Sequence, residues 1–521
     1  MPYLQGASAA DSALVPLGKL QRRFYEPVVL LLALTQACMH NYAPRVAESL
    51  AEVPSHSPDE LFKDFVNKLC QICDNRRGGD AVTAISVLQY PDRVQYRFAS
   101  NQRSEKELLK VKSYLEGILE TLKGYSPSSS NLLMASVLRK IVAFNRLRLQ
   151  GYIRYLYSQT QICLDTPKLS TDLSDKVREV QDLVKIADNR ELDEPAFFKA
   201  CANLMLCIKA FSKSPTYKSL HEKASSESGE SSPWAELRHN AGRLLSYYQA
   251  SRTLIEARKK WERLFYEVEV NFIPSSTPLV NPVNDKRVDA DAIIGRMTSD
   301  KTEMRQYRAH ADELQRFDLD TKIQDQVSKG FKALVHAEVL LLQSLIDEFS
   351  LSGLHPSCFF ERRKYIGSSK PTCRLCAYYF TASATDIDVR KTHRNVYINW
   401  RAPDVYVRQG EAAKKWRQQI LMKVLDRVRE DAFRTLAEKV PERKRYDSNT
   451  DPTFPTLNQG TSVGFDGAFL VDTDLDDVAA SMCRLDLHDS HAEGREVQPG
   501  PSISASSGFD GVDDDGGAPL S

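Results

Sequence analysis

Hydrophobic residues recur at helical spacing near the start of the chain. Residues 17–40 carry Leu, Val and Ala on one face, and this spacing predicts an amphipathic helix. A second helix start follows at Ser57-Pro58-Asp59-Glu60, because Ser is a good N-cap and Pro suits the first turn. That helix presents one apolar face, made of Leu61, Phe62, Phe65, Val66, Leu69 and Ile72. We expect residues 1–57 to form a helical extension that packs on the body.

Two short segments after Gly78-Gly79-Asp80 change the period from helix to strand. Residues 82–88 are rich in β-branched side chains, and residues 94–98 alternate apolar with polar side chains. The turn sequence Tyr90-Pro91-Asp92-Arg93 separates them, so the pattern predicts a β-hairpin. Strands are also predicted at residues 365–367 and 395–400, and an amphipathic helix is predicted at about residues 411–439.

Helical periodicity dominates from residue 104 to about residue 330. Within it we predict one long helix over residues 132–157 and another from Ser232-Pro233 to Val268. Beyond Pro441 the chain is rich in Pro, Gly, Ser and Asp, a composition that cannot bury enough apolar surface to become ordered. These patterns predict five segments: a helical extension (1–57), a first α/β part (58–103), an all-helical insertion (104–330), a second α/β part (331–440) and a disordered acidic tail (441–521).

Charge is distributed unevenly along the chain. The formal net charge is +1, but residues 447–521 hold 15 acidic residues against Arg484 and Arg495, which leaves −13 there and +14 elsewhere. A basic body suits nucleic acid or nucleotide ligands, and solvated helix faces explain the same excess equally well. The basic run of residues 258–263, which contains Trp261, allows the same two interpretations.

Cysteine content and hydropathy bear on the cell compartment. Ten cysteines in 521 residues are too sparse for a disulfide framework, and close pairs of cysteines favour metal binding or free thiols. The longest apolar run near the N-terminus, residues 28–34, is too short to span a bilayer, and no signal-peptide layout accompanies it. We therefore expect an intracellular protein, cytoplasmic or nuclear, without a membrane partner.

Two motifs in the second α/β part carry the candidate chemistry. His336 and Glu338 open an apolar run that predicts a buried helix, and Cys373 and Cys376 follow Pro371 at a second helix start. One His and two Cys can hold Zn²⁺ and leave a fourth position for water, and Glu338 can move the proton that such a water loses. Thiols three residues apart share one helix face, and a helix N-terminus favours the thiolate.

Other residues of the same types leave alternatives open. Cys70 and Cys73 form a second Cys-x-x-Cys pair, which could be buried small apolar residues or could join Cys373 and Cys376 in a structural four-cysteine zinc site. A second His-x-Glu at residues 491–493 lies in the acidic tail without an apolar run, and we interpret it as chance.

The motifs resemble a known signature. The pattern His-x-Glu…Pro-Cys-x-x-Cys is that of the zinc deaminases, in which a zinc-bound hydroxide attacks an amino-bearing carbon of a base. Here Thr372 intervenes between Pro371 and Cys373, a departure that bears on where the helix starts. Residues 58–103 and 325–435, with the helix and hairpin before the His-Ala-Glu and the Thr-His…Trp after the cysteines, resemble the fungal branch of the OTT-type deaminase-like family.

That resemblance implies a fold and a set of roles. The fold would be an α/β deaminase-like three-layer α/β/α sandwich with a mixed sheet, split by the large all-α insertion. His336, Cys373 and Cys376 would bind Zn²⁺, and Glu338 would be the catalytic proton shuttle. Asn101, at the end of the second hairpin strand, would contact the substrate. His393 and Trp400 would line the pocket and stack on or hydrogen-bond to a base, and a place in the core is the alternative for Trp400.

Two functions are compatible with these features. The first is a zinc-dependent hydrolytic deaminase acting on a cytosine or adenine base in nucleic acid or a nucleotide. The second is a non-catalytic, zinc-stabilised deaminase-like scaffold whose helical insertion binds a protein partner. The two differ in Glu338, which an enzyme needs and a scaffold does not.

Overall fold

Five strands form a mixed central sheet. The computed structural model describes residues 14–41, 57–126, 130–167, 169–226, 232–280, 282–283 and 288–442. The strands are β1 Thr83–Gln89, β2 Val94–Ser100, β3 Val268–Ile273, β4 Leu279–Val280, β5 Lys332–Ala333, β6 Tyr365–Ser368 and β7 Asp388–Val389. The order in the large sheet is β3-β2-β1-β6-β7, and β4 pairs with β5 in a separate two-stranded sheet. The predicted hairpin is confirmed, because β1 and β2 pair antiparallel.

Helices make up most of the described chain. They are α1 Lys19–Ala37, α2 Pro58–Cys73, α3 Glu105–Lys123, α4 Ser130–Phe144, α5 Arg146–Leu164, α6 Thr171–Ala187, α7 Glu194–Lys213, α8 Thr216–Ser226, α9 Pro233–Lys260, α10 Ala290–Met297, α11 Lys301–Leu314, α12 Leu319–Ser328, α13 Ala337–Gly353, α14 Arg374–Ser383 and α15 Gly410–Glu438. Helix α2 begins as predicted, with the Ser57 side chain accepting a hydrogen bond from the Glu60 N–H. None of the described helices is both long and apolar enough to cross a membrane.

Both faces of the sheet are covered by helices. Side chains alternate along a strand, so Ile85 and Val87 of β1 join the core shared with α2 and α3–α9. Ala84 and Leu88 join the other core, which contains α1, α13, α14 and α15. The fold is therefore α/β, with a three-layer deaminase-like arrangement that carries a large helical insertion, as the sequence predicts.

Two strands, β3 and β4, come from within the predicted insertion. Strand β3 pairs parallel with β2 over six residues, from Val94 opposite Val268 to Ala99 opposite Ile273. The prediction of an all-helical segment over residues 104–330 is wrong here: α9 ends at Lys260 rather than at Val268. The helical segment leaves the sheet after β2 and returns as its edge strand. The division of the chain into five domains stays a prediction.

The structure differs from the sequence predictions at two further places, Asn145 and residues 395–400. The helix predicted over residues 132–157 is broken at Asn145, whose side-chain amide donates to the carbonyls of Ile72 and Ile141. Residues 395–400 form no strand: within this segment only Trp400 makes an isolated bridge, to Leu334. The predicted extension packs as expected where the structure describes it, since α1 lies against α15 and α12. The acidic tail beyond residue 442 lies outside the described residues.

Two residues of the basic run at the end of α9 are buried, whereas Lys260 and Arg263 are exposed. Arg258 is 5% exposed and donates to the carbonyl of Leu122. Trp261 is also 5% exposed, so neither side chain is available to a nucleic acid strand. Contact of Arg258 with α3 and packing of Trp261 against Phe62 of α2 account for these two residues.

The carboxylate of Glu269 connects the edge strand β3 to β2 through hydrogen bonds. Hydrogen bonds from Gln95, and then from Arg93 and Asn271, lower the pKa of Glu269 to about 2. A carboxyl group with a lowered pKa stabilises the fold above its ordinary value of 4.5, and this stability is lost as the pH falls toward 2. The side chain is 39% exposed, so solvent screening reduces the contribution to about 1 kcal/mol.

We expect Glu269→Gln to lower the free energy of unfolding by that amount at pH 7. Urea titrations between pH 7 and pH 3 should show the difference from wild type shrinking on the acid side. The matched control is Glu256→Gln in the exposed pair with Lys259, which should change stability less. A Glu269→Gln deficit that does not shrink on acidification would contradict the assignment.

Candidate metal centre

The first half of the site is the start of α13. His336 is the N-cap residue of this helix, with φ −67° and ψ 152°, so Ala337 begins the helix and Glu338 lies in its first turn. Two bonds from outside fix this start: the Ala337 N–H donates to Asn101 Oδ1 at 2.7 Å, and the Val335 N–H donates to Ser276 Oγ at 2.9 Å. The predicted helix start at His336 is confirmed.

The second half is the start of α14. Cys373 is the N-cap residue, and its Sγ accepts a hydrogen bond from the Cys376 N–H at 3.4 Å. The additional Thr372 lies before the helix, is fully buried and bridges to Thr392. The helix therefore begins after Cys373 rather than at Pro371, and the two thiols still lie one turn apart on one face.

The two helix starts bring three ligand-type side chains together. His336 Nδ1 lies 3.5 Å from Cys373 Sγ and 3.5 Å from Cys376 Sγ. All three ligand atoms lie within 4.8 Å of one another, a group that could hold a metal ion. His336, Cys373 and Cys376 are 7%, 4% and 0% exposed. Within the described residues, no other His, Cys, Asp and Glu side chains converge in this way.

The protein environment favours one thiolate in this group. Burial acts to raise the pKa of Cys373, but a hydrogen bond from Cys376 and the charge of His336 outweigh it and hold the pKa well below its ordinary value. Burial, together with the neighbouring Cys373, raises the pKa of Cys376. Thiolate is the form that binds metals, so the lowered pKa of Cys373 favours its binding form, whereas the raised pKa of Cys376 opposes it.

Glu338 lies beside the three ligand-type residues with unsatisfied hydrogen-bonding capacity. Its side chain is 4% exposed, and its Oε2 atom is buried without a hydrogen-bond partner in the described structure. Burial raises the pKa of this carboxyl group, and the nearby His336 opposes the shift. A buried polar atom normally has a partner, so this oxygen fits a site that takes up a further polar group such as water.

Trp400 is in the core rather than in a binding pocket. It is fully buried, with ring centroids of Phe24 and Tyr379 at 5.7 Å and 6.0 Å. Its Nε1–H donates to Cys376 Sγ at 3.2 Å. The expectation that it stacks on a base is therefore corrected: both ring faces lie inside the protein, and its polar atom holds the Cys376 thiol.

His393 lies near the site together with a residue that the sequence analysis did not single out. His393 is 2% exposed, and its Nδ1 accepts a hydrogen bond from the Asn395 N–H at 3.0 Å. The Tyr397 ring lies 5.7 Å from His393 and 6.4 Å from His336. Tyr397 is half-buried, so it is the aromatic side chain in this segment with surface to offer a ligand. In the sequence, Tyr397 could have been singled out by its position between His393 and Trp400.

Asn101 is engaged by the protein itself. It is 7% exposed; its Oδ1 accepts from the Ala337 N–H, and its Nδ2 donates to the Gly79 carbonyl at 2.8 Å. Asn101 therefore connects the end of β2 to the helix that begins next to His336. Its predicted contact with substrate stays a prediction.

We expect Asn101→Ala to weaken metal binding by about tenfold, as loss of outer hydrogen bonds to metal ligands does. Chelator competition measures this, and Asn101→Asp is the matched variant, because it retains an acceptor for the Ala337 N–H. Unchanged metal affinity and melting temperature in Asn101→Ala would show that these bonds do not position the site.

The second cysteine pair is separate from this site. Cys70 and Cys73 are fully buried in the core that contains α2, whereas Cys373 and Cys376 belong to the core on the other face of the sheet. Burial raises the pKa of both Cys70 and Cys73. The four-cysteine site is therefore wrong, and Cys70 and Cys73 act as small apolar residues.

Comparison with known proteins agrees with this geometry over part of the chain. Residues 335–404 match the family model described as OTT_1508-like deaminase. This segment is deaminase-like. It holds the residues His336, Glu338, Cys373, Cys376, His393 and Trp400, and the match supports hydrolytic deamination in general as its chemistry. No curated protein and no solved structure matches the chain significantly.

Proposed function

We propose that the protein is a zinc-dependent hydrolytic deaminase that acts on a cytosine or adenine base in nucleic acid or a nucleotide. The observation that carries this proposal is the buried group of His336, Cys373 and Cys376 with the unpartnered Glu338 Oε2 beside it. The deaminase-like match over residues 335–404 supports the same reaction class.

The donor set fits zinc. Imidazole nitrogen and thiolate sulfur are the ligands that Zn²⁺ prefers, and three protein ligands are typical of catalytic zinc sites. His336 Nδ1 and the sulfurs of Cys373 and Cys376 would hold the ion. Bound there, Zn²⁺ would lower the pKa of a water molecule in the remaining position and supply a nucleophile near neutral pH.

Glu338 would carry the proton transfers. Its carboxylate accepts the proton that the attacking water loses and delivers it to the amine nitrogen that leaves the base. A carbon–oxygen bond forms, the exocyclic carbon–nitrogen bond breaks, and ammonia is released. Glu338 is buried, so its surroundings exclude bulk water from these proton transfers.

The substrate class rests on charge and on the neighbouring aromatic residue. The chain outside residues 447–521 carries a net charge of +14, which attracts phosphate-bearing molecules. Tyr397 offers a ring surface beside His336 and His393, suited to stacking on a base.

A substrate panel tests the proposal. Zinc-loaded protein is incubated with RNA, single-stranded DNA, nucleotides and nucleosides, and conversion of cytosine to uracil or of adenine to hypoxanthine is followed by mass spectrometry. We expect turnover of at least one of these substrates. Absence of conversion in the whole panel, from protein with one zinc per chain, would argue against the enzyme.

A zinc-stabilised scaffold is the second candidate, favoured by the surface of the insertion. Leu147 is 78% exposed, and Ile162 and Ile186 are about half exposed, on helices α5 and α6. Exposed apolar side chains on a large helical segment suit a protein partner. Complementation of a deletion strain separates the two candidates: a scaffold tolerates Glu338→Gln but not His336→Ala, whereas equal loss in both variants counts against it.

A further inference from the structure

A cavity lies at the end of the sheet away from the candidate metal centre. It has a volume of about 460 Å³ and is lined by residues of β1, of the segment after α9 and of the segment before β6. Gln89, the last residue of β1, lies in its wall. Thr83 at the other end of β1 is next to the Ser369 segment that leads to Cys373. A strand of this length places the two sites roughly 20 Å apart.

Three cations line this cavity without a counter-charge of their own. Lys260, Arg263 and Arg362 are exposed and form no ion pair within the described residues. The two acidic residues of the lining are already paired. Glu262 contacts Arg258 at 3.2 Å, and Glu361 pairs with Arg363. The cavity therefore presents an excess of positive charge.

Aromatic side chains pack beneath the backbone that carries these cations. Trp261 packs edge-on against Phe62 at 5.9 Å, and Phe62 stacks on Phe360 at 6.0 Å. The Arg363 guanidinium lies over the Trp261 ring at 5.3 Å. Glu361 and Arg362 both adopt positive φ, 44° and 65°, a conformation uncommon for residues other than glycine. The cations thus project from a packed aromatic base.

We propose that this cavity binds a small phosphorylated polyanion. Its volume is in the range of small-molecule sites, and three unpaired cations match the charge of a di- or triphosphate. A nucleic acid strand is the less suitable ligand, because Arg258 and Trp261, which belong to the same basic run, are buried. The proposal does not depend on the deaminase function.

Calorimetric titration of the full-length protein with inorganic tripolyphosphate tests the site. We expect binding at physiological salt, and Arg263→Gln/Arg362→Gln should weaken it by about tenfold or more, since bonds to charged groups are among the strong ones. The matched control is Lys106→Gln/Lys110→Gln, which removes two exposed cations from α3 and should leave affinity within about twofold. Adenosine triphosphate and inorganic phosphate, titrated in parallel, distinguish a nucleotide from a simple phosphate as the ligand.

Three results would overturn the proposal. Wild-type protein that gives no binding to tripolyphosphate or to the nucleotide lacks the site. Equal weakening in the control variant would show a general charge effect. Binding of a single-stranded oligonucleotide without binding of the small polyanions would assign the surface to nucleic acid instead. All substituted side chains are exposed, and circular dichroism of each variant checks that it folds.

Discussion

Glu338→Gln should lower the deamination rate by about 10²–10⁴-fold, the usual contribution of a general acid–base group. Glutamine keeps the size of the side chain but cannot accept the proton from water. Glu338 is not one of the three converging ligand-type residues, so zinc content should stay at the wild-type value. The rate is measured with whichever substrate the panel identifies, and zinc is measured on the same preparation.

An exposed glutamate on α3 provides the control for this prediction. Glu120→Gln removes a carboxylate from the surface of α3, where the side chain is 75% exposed, and should leave the rate unchanged. Burial raises the pKa of Glu338, which means that the charged form is costly in the metal-free protein. Loss of this charge should therefore not destabilise the fold. Wild-type turnover in Glu338→Gln would contradict the mechanism.

Arg148→Ala should lower the free energy of unfolding by about 3–5 kcal/mol, because it leaves a buried carboxylate without its partner. Arg148 of α5 and Asp74 at the end of α2 form an ion pair with side chains 4% and 2% exposed. Asp74 also accepts a hydrogen bond from Ser369 Oγ at 3.0 Å. The pair thus connects the helical insertion to α2 and to the segment that leads to Cys373.

Urea denaturation measures the loss of unfolding free energy in Arg148→Ala, and two further variants serve as comparisons. Arg178→Ala breaks an exposed pair with Asp175, in which both side chains are 63% exposed, and should cost about 0–1 kcal/mol. Asp74→Asn combined with Arg148→Met removes both charges and should recover part of the loss. A deficit in Arg148→Ala no larger than that in Arg178→Ala would show that the pair does not hold the insertion to the sheet.

The site was predictable from sequence because its residues lie at helix starts. His336 precedes an apolar run and Cys373 follows Pro371, so local spacing alone placed each side chain at the first turn of a helix. That the two starts converge depends on α13 packing against the sheet whose strand β6 leads to α14. Local spacing does not encode this packing, and the resemblance to a known family supplied it.

Other features depend on contacts distant in sequence. Strand β3 alternates Val268-Glu269-Val270-Asn271-Phe272, a strand pattern that is easily overlooked after more than 150 helical residues, and its partner β2 lies far back in the chain. Residues 395–400 are rich in β-branched and aromatic residues, yet they make no strand. The Trp400 bond to Cys376 is visible only once the fold is known.

Zinc content tests the central claim most directly. Purified wild-type protein and His336→Ala, each shown to be folded by circular dichroism, are compared by inductively coupled plasma mass spectrometry, with His355→Ala as the control for an exposed histidine. We expect about one zinc per chain in wild type and in the control, since three such ligands suffice for a tight site, and little or none in His336→Ala. Zinc retained at the wild-type level in His336→Ala, or absent from the wild-type protein, would contradict the site.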